Sequence, residues 1–338
     1  MKKRETELDV LRIIALLAVI FTHTCGIYPN FPPLTTFILA TITWHVPVFV
    51  MISGRFFLDP DRELPVSKLI KAITHLVLAF AFWSLIYQIH SVVAGTYPER
   101  SWRGVIAAFL IGPYHFWYLT MLICLYAIIP FLRKITESKA LMEYFIGLFL
   151  IFGFLTLYGP NLPMVGPTIG RLNTDANFHL ALGYSGYYIL GFYLRRYPLR
   201  GRRELGLYML GICMFLFTGL ATLWKTAQGA PGNEWFSKYL MPNVVIEAAA
   251  VYTFFINRIG RIQFPEKLTA LISRLAEYSF GAYLLHVLVY RLLLAPCIRR
   301  ASLPPIVAIT LTLFLTYVIS TGLTILIRKI PCVGKKIT

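Results

Sequence analysis

Acidic side chains are scarce in this chain: 15 Asp and Glu stand against 32 Lys and Arg in 338 residues, and charge of either sign makes up only 14%. An ordinary soluble domain carries about a quarter of its residues charged, so that class is excluded. Cysteine is sparse too. Cys25, Cys124, Cys213, Cys297 and Cys332 have no paired spacing, which argues against a disulfide framework or a zinc site and leaves them as small packing residues. The seven histidines lack ligand spacing with carboxylates or cysteines, so no metal is expected. No linker, internal repeat or soluble extension is visible, and a single integral domain over 1–338 is the economical reading.

What the chain has in abundance is apolar surface: 57% of residues are hydrophobic and the mean hydropathy is +0.67. Runs of about 20 apolar residues, the length that crosses a bilayer as a helix, predict an all-α polytopic membrane protein with about ten transmembrane helices. The expected spans are 8–28, 34–58, 69–94, 115–132, 141–158, 177–194, 205–224, 236–256, 275–294 and 305–327. The third is interrupted by Trp83, Gln88 and His90, and the eighth by Pro242, Asn243 and Glu247. The first run is too long for an ordinary signal sequence and has no clear cleavage site, so it is expected to stay as a span.

The net charge of +17 resembles a nucleic-acid footprint until its distribution is followed. With the N-terminus placed in the cytoplasm, 24 of the 32 basic residues fall on that side, among them Lys2, Lys3, Arg4 and the Arg-rich turn at 195–203. This is the positive-inside pattern. It puts both termini in the cytoplasm, requires an even number of spans, and makes an anionic membrane surface, not nucleic acid, the partner of those groups.

Within the first run, Arg12 and His23 are eleven residues apart. Eleven steps of ~100° close to roughly three turns, so both side chains project from one helical stripe, ~16 Å apart along the axis. Ionisable groups at such depth normally face protein or an aqueous cavity. Asp9, three residues before Arg12, is placed to pair with it. The plainer readings are an arginine snorkelling to headgroups and a histidine satisfied between helices. The second span repeats the arrangement with His45 and Arg55, around a proline, Pro47, and the small pair Ser53-Gly54, which admits either a ligand or a neighbouring backbone. Lys68 and Lys71 open the third span on one face; beside Arg12 and Arg55 they would make a basic mouth suited to phosphate, or simply anchor the helix. His115, Trp117 and Tyr118 stand at the outer interface, where an aromatic belt accounts for the last two. His286 and Glu247 lie within spans and need partners, which nothing in the sequence identifies.

Five segments in order carry a resemblance: LDVLRIIALLAVIFTHT, VPVFVMISG, HFWYL followed by LYAIIPFL, YSGYYILGFYL, and YSFGAYLLHVLV. Together they resemble the acyltransferase-3 family of integral membrane acyltransferases, which includes bacterial O-acetylases of surface polysaccharides. The lack of a fused esterase-like domain is similar to short members that modify lipid-linked glycans such as enterobacterial common antigen. The resemblance implies transfer of an acyl group, usually acetyl from acetyl-CoA, to a hydroxyl of a lipid-linked or extracytoplasmic glycan at the bacterial inner membrane. It implies that His23 is catalytic and Arg12 part of the acyl-CoA site. Lys68 and Lys71 stand where the family often has arginines, and Arg55 follows Ser53-Gly54 where the family has an aromatic residue.

A sugar hydroxyl needs a base to become a nucleophile at neutral pH, and histidine supplies one with least perturbation. His23 is therefore expected to deprotonate the acceptor or to carry the acyl group briefly. Ser53, Tyr118 and His286 are candidate oxyanion donors by type. Arg12, Arg55, Lys68 and Lys71 are the expected donor-binding set. Export of a glycan or lipid precursor is the competing reading, since transporters also bury ionisable residues; no inverted repeat or acidic pair supports it.

Overall fold

The computed structural model describes residues 4–25, 33–95, 101–161, 164–176, 183–229, 236–301 and 303–338. Every regular element among them is helical. In chain order they are α1 (Thr6–Thr24), α2 (Pro33–Thr41), α3 (His45–Phe57), α4 (Val66–Val93), α5 (Trp102–Ile111), α6 (Trp117–Thr136), α7 (Lys139–Leu157), α8 (Gly166–Ala176), α9 (Ser185–Arg196), α10 (Arg202–Ala227), α11 (Pro242–Asn257), α12 (Glu266–Val289), α13 (Ala295–Arg300), α14 (Pro305–Arg328) and α15 (Gly334–Ile337). A short 3-10 turn, Tyr114–Phe116, leads into α6, and a π-helical turn, Tyr290–Leu294, joins α12 to α13.

Seven stretches are long and apolar enough to cross a membrane: Pro33–Phe57, Val66–Val93, Tyr114–Thr136, Lys139–Leu157, Arg202–Ala227, Glu266–Ile298 and Pro305–Arg328. They make this a multi-pass membrane protein. The other three expected spans fall on α1, α9 and α11. Glu7, Asp9 and Arg12 load α1 with charge, while α9 and α11 have only 12 and 16 residues. The start of the expected span 177–194 lies outside the described residues up to 182, as do Lys2 and Lys3. Along α9 and α11 three quarters of the side chains are buried. A helix enclosed by other helices has no lipid face to keep apolar and no need to match the full hydrocarbon thickness.

Two breaks in regular helix have a proline as their cause. The expected span 34–58 divides between Thr41 and His45 into α2 and α3, and Pro47 then sits in the first turn of α3, where its missing N–H is not needed. His45 Nδ1 donates to the Ile42 carbonyl at 2.6 Å, satisfying one of the carbonyls the break exposes. The π-helical turn similarly precedes Pro296, whose ring would meet the carbonyl four residues earlier in a regular helix.

Between membrane helices there is little hydrophobic driving force, and close van der Waals approach over small residues does the work instead. The most extensive helix pair, α3 with α9, shows it. A Cβ on Gly54 would overlap the Tyr188 carbonyl, and one on Gly191 would overlap the backbone of Met51. The Ser53-Gly54 pair thus serves both readings: Gly54 meets a backbone, while Ser53, one residue earlier, faces a cavity. Around this contact Leu11, Met51, Ile129, Tyr188 and Tyr252 form the largest core.

Candidate active site

α1 and α12 run parallel and in step. Ser273 Oγ approaches Asp9 Oδ2 at 3.4 Å at one end, and the rings of His286 and His23 lie 5.1 Å apart at the other. Fourteen residues on α1 thus match thirteen on α12, about 20 Å of helix. α3 runs the opposite way, placing His45 near the His23 end and Arg55 near Glu5.

These helices, with α4 and α6, enclose a cavity of about 460 Å³. Arg12 and His23 both line it, as their common stripe requires. Ser53, Tyr118, His45, His75 and His115 line it as well, and the aromatic rings of Phe49, Trp117, Tyr239 and Phe280 supply much of the remaining wall. At the Arg12 side the wall holds Glu277 and Arg328, which pair at 3.0 Å. Arg12 itself is loosely held: its only acidic partner among the described residues, Asp9, is 3.8 Å away and also binds Arg4 at 2.6 Å.

At the far side three imidazoles meet. His23 is 5.1 Å from His286 and 6.2 Å from His115, and those two are 5.3 Å apart, centroid to centroid. His23 Nδ1 is 3.0 Å from the Tyr114 hydroxyl, which leaves Nε2 for a second partner. His286 Nδ1 donates to the Tyr283 carbonyl at 2.5 Å, and its Nε2 is buried without a partner. Both ring nitrogens of His115 are buried and unpartnered, and the Tyr283 hydroxyl donates to the His115 carbonyl, which holds the short turn against α12. Buried polar atoms nearly always find partners, so a cluster of four open nitrogens and hydroxyls here marks room for a ligand. Ser84 Oγ is the fourth such atom.

A second, smaller space of about 210 Å³ continues beyond the histidines. The order along the helices fixes the sequence of the two. On α4, His75 and Leu76 face the large cavity and Ser84 and Gln88 the small one; on α12 and its π-helical extension, Phe280 and Tyr283 face the first and Leu288 and Arg291 the second. Consecutive residues divide them: Tyr114 looks into the small space, His115 into the large. His23 stands at the junction, bonded to Tyr114 and in edge-to-face contact with both rings.

A family model described as an acyltransferase domain matches residues 5–325 of the 338. The chain belongs to the acyltransferase-3 family. It is thereby a membrane protein of acyltransferase type. No curated protein matches the chain, and no solved structure does. The matched segment covers both spaces except Arg328 and Thr338 at the edge of the larger one.

Of the residues expected from sequence, the fold brings Arg12, His23, Ser53 and Tyr118 onto one cavity and sets His286 against His23. Ser53 Oγ donates to the Phe49 carbonyl at 3.0 Å and shares a side-chain hydrogen bond with Tyr126, so its proton is not free for the cavity. Arg55 lies elsewhere: it is 15% exposed and bound to Glu5 at 2.9 Å and Asp59 at 3.6 Å. Lys68 and Lys71 are exposed and have no carboxylate partner among the described residues; Lys71 is one turn before His75 on α4. Glu247 sits in a buried network in which Thr218 Oγ1 donates to its Oε1 at 2.5 Å and Asn243 Nδ2 donates to Thr218 at 2.7 Å. Sequence reasoning passed over Tyr114 and gave His115 no role beyond the interface. Their signal was the HFWYL segment and the tyrosine before it, but the contact with His23 spans 91 residues.

Proposed function

We propose that the protein moves an acyl group, acetyl in the simplest case, from cytoplasmic acyl-CoA to a hydroxyl of a lipid-linked or extracytoplasmic glycan at a bacterial inner membrane. The observation that carries this reading is the pair of spaces in series with His23 between them. A two-substrate transfer across a membrane needs that layout: one route for a donor, another for an acceptor, and a base where they meet.

In this reading the larger cavity takes the donor. Arg12, loosely paired and on the cavity wall, binds its phosphates, with Lys71 and Lys68 as outlying cations on α4. The aromatic walls accept the pantetheine arm, and the ~16 Å from Arg12 to His23 is bridged by that arm. The smaller space takes the acceptor. With its Nδ1–H donated to the Tyr114 hydroxyl, His23 presents the Nε2 lone pair to the acceptor hydroxyl. It removes the proton as the oxygen attacks the thioester carbonyl. The tetrahedral adduct then collapses, the C–S bond breaks, and the imidazolium returns its proton to the departing thiolate. Tyr118, on the wall of the larger cavity, is the candidate oxyanion donor by type, and His286 holds the ring of His23 in place.

Labelled acetyl-CoA supplied to membranes containing wild type, His23→Ala or Arg12→Ala at matched protein levels tests the proposal. Label entering the glycan fraction with wild type and disappearing with His23→Ala supports it. No wild-type transfer above an empty-vector control, with a broad acceptor panel, overturns it and favours export, which consumes no acetyl-CoA.

A further inference from the structure

The smaller space is more specialised than a generic hydroxyl pocket. Its wall includes Ser84, Gln88 and Ser91 of α4, together with Tyr114 and Arg291. Arg291 has no carboxylate within ion-pair distance among the described residues, and its guanidinium carbon lies 5.3 Å from the centre of the Tyr114 ring. The guanidinium also shares a side-chain hydrogen bond with Tyr114, which fixes its position while its five N–H groups leave donors for a ligand. The residue is carried on the π-helical turn Tyr290–Leu294, a local departure from α-helix of the sort that recurs at functional sites.

A second observation is independent of the arginine. Ser84 is 1% exposed, lines the same space, and its Oγ has no hydrogen-bond partner. Opposite it, Gly112 ends α5 with φ +71°; a Cβ there would stand 3.0 Å from Ser84 Oγ and closer still to the Phe80 ring. The wall is therefore kept bare beside an unsatisfied hydroxyl. A cation without a protein anion at a membrane edge and a buried hydroxyl without a partner have complementary needs: an oxyanion and a hydroxyl on one ligand.

Tyr114 ties this space to the reaction centre, since its ring lies under Arg291 and its hydroxyl meets His23 Nδ1 at 3.0 Å. Resting on the acyl-transfer reading above, we propose that the smaller space is the acceptor subsite and that Arg291 selects an acceptor bearing a phosphate or carboxylate close to the hydroxyl that His23 activates. Ser84 accepts or donates to a neighbouring sugar hydroxyl. The bidentate fork of arginine matches either oxyanion, whereas a neutral sugar leaves the guanidinium unpaired.

The test uses full-length protein in phosphatidylcholine nanodiscs and three probes: methyl glucoside 6-phosphate, methyl glucuronide and methyl glucoside. Titration calorimetry is expected to show the two anionic probes binding at least about tenfold more tightly than the neutral one, the scale of one charge-assisted hydrogen-bonded pair. Arg291→Gln should erase that gap, Arg291→Lys should keep part of it, and Ser84→Ala should weaken all three probes alike. Equal binding by wild type, or a gap that survives in Arg291→Gln with an unchanged unfolding midpoint, overturns the proposal. A net-anionic headgroup competes for the guanidinium where zwitterionic phosphatidylcholine does so less, so the titration is repeated in phosphatidylglycerol nanodiscs. Loss of the gap there makes Arg291 a headgroup anchor and also overturns it. A separate arm adds labelled acetyl-CoA. Tight anionic binding with no label transferred to any probe overturns the acyl-transfer reading, and leaves an oxyanion site without that role.

Discussion

The two ends of the bundle treat polar groups in opposite ways. Around the start of α1, Glu5 binds Arg55 and Arg195, Asp59 binds Arg55 and Arg62, and Arg195 also reaches Glu7. Nearly every charge there has an opposite charge. At the other end of the same helix, His115, His286 and Ser84 carry buried nitrogens and a hydroxyl with no partner in the protein. Paired charges fasten helices; open polar atoms with space in front of them are where a substrate is expected. Arg12 is the exception at the paired end, with a 3.8 Å contact, 31% side-chain exposure and a place on the cavity wall.

The largest effect should come from breaking the open end. His23→Ala is expected to lower the rate of transfer by about 10²–10⁴-fold, the range of a lost general base, with an unchanged unfolding midpoint. Single-turnover assays of the purified protein, paired with thermal unfolding, check this. Loss of folding alongside activity would move His23 into the structural class. At the middle of the bundle, Gly191→Ala forces the α3 and α9 backbones apart and should cost about 1–3 kcal/mol, the range for overpacking, measured as a fall in unfolding midpoint.

A pair of arginine substitutions sharpens the contrast within the paired end. Arg12→Ala should raise the KM for acyl-CoA by roughly 10–100-fold, as expected for lost charge-assisted hydrogen bonds, with kcat less affected. Arg55→Ala should leave that KM within about twofold and lower the unfolding midpoint instead, because it strands Glu5 and Asp59. Reversal of that pattern would mean that the donor reaches Arg55. The smallest effect is expected from Tyr114→Phe, which removes one hydrogen bond to His23 and should reduce kcat by about 2–10-fold.

The helical period made one part of the site legible in advance. Eleven residues bring Arg12 and His23 onto one stripe, and both line one cavity. Hydropathy was similarly sufficient for the seven stretches that are long and apolar enough to cross a membrane. It was a weaker guide to α9 and α11, because an enclosed helix is shaped by close packing at Gly191 and by buried tyrosines instead of by lipid. Neighbours across the bundle were not legible at all. His115 and His286 meet His23 only because the Tyr114–Phe116 turn and α12 are folded against the end of α1, and no local spacing encodes that. Arg55 shows the same limit from the other side: its sequence position matches a donor-binding role, and Glu5, fifty residues away, gives it an ion pair.

The central claim is that donor and acceptor approach His23 from opposite spaces. Sealed membrane vesicles of both orientations, with the side of loop 197–203 fixed by a reporter cysteine, test it most directly using labelled acetyl-CoA, which does not cross the bilayer. The account predicts glycan labelling only when acetyl-CoA is on the side of that loop and of Arg12, and none with His23→Ala. Labelling from the opposite side, or labelling that persists without His23, would contradict it.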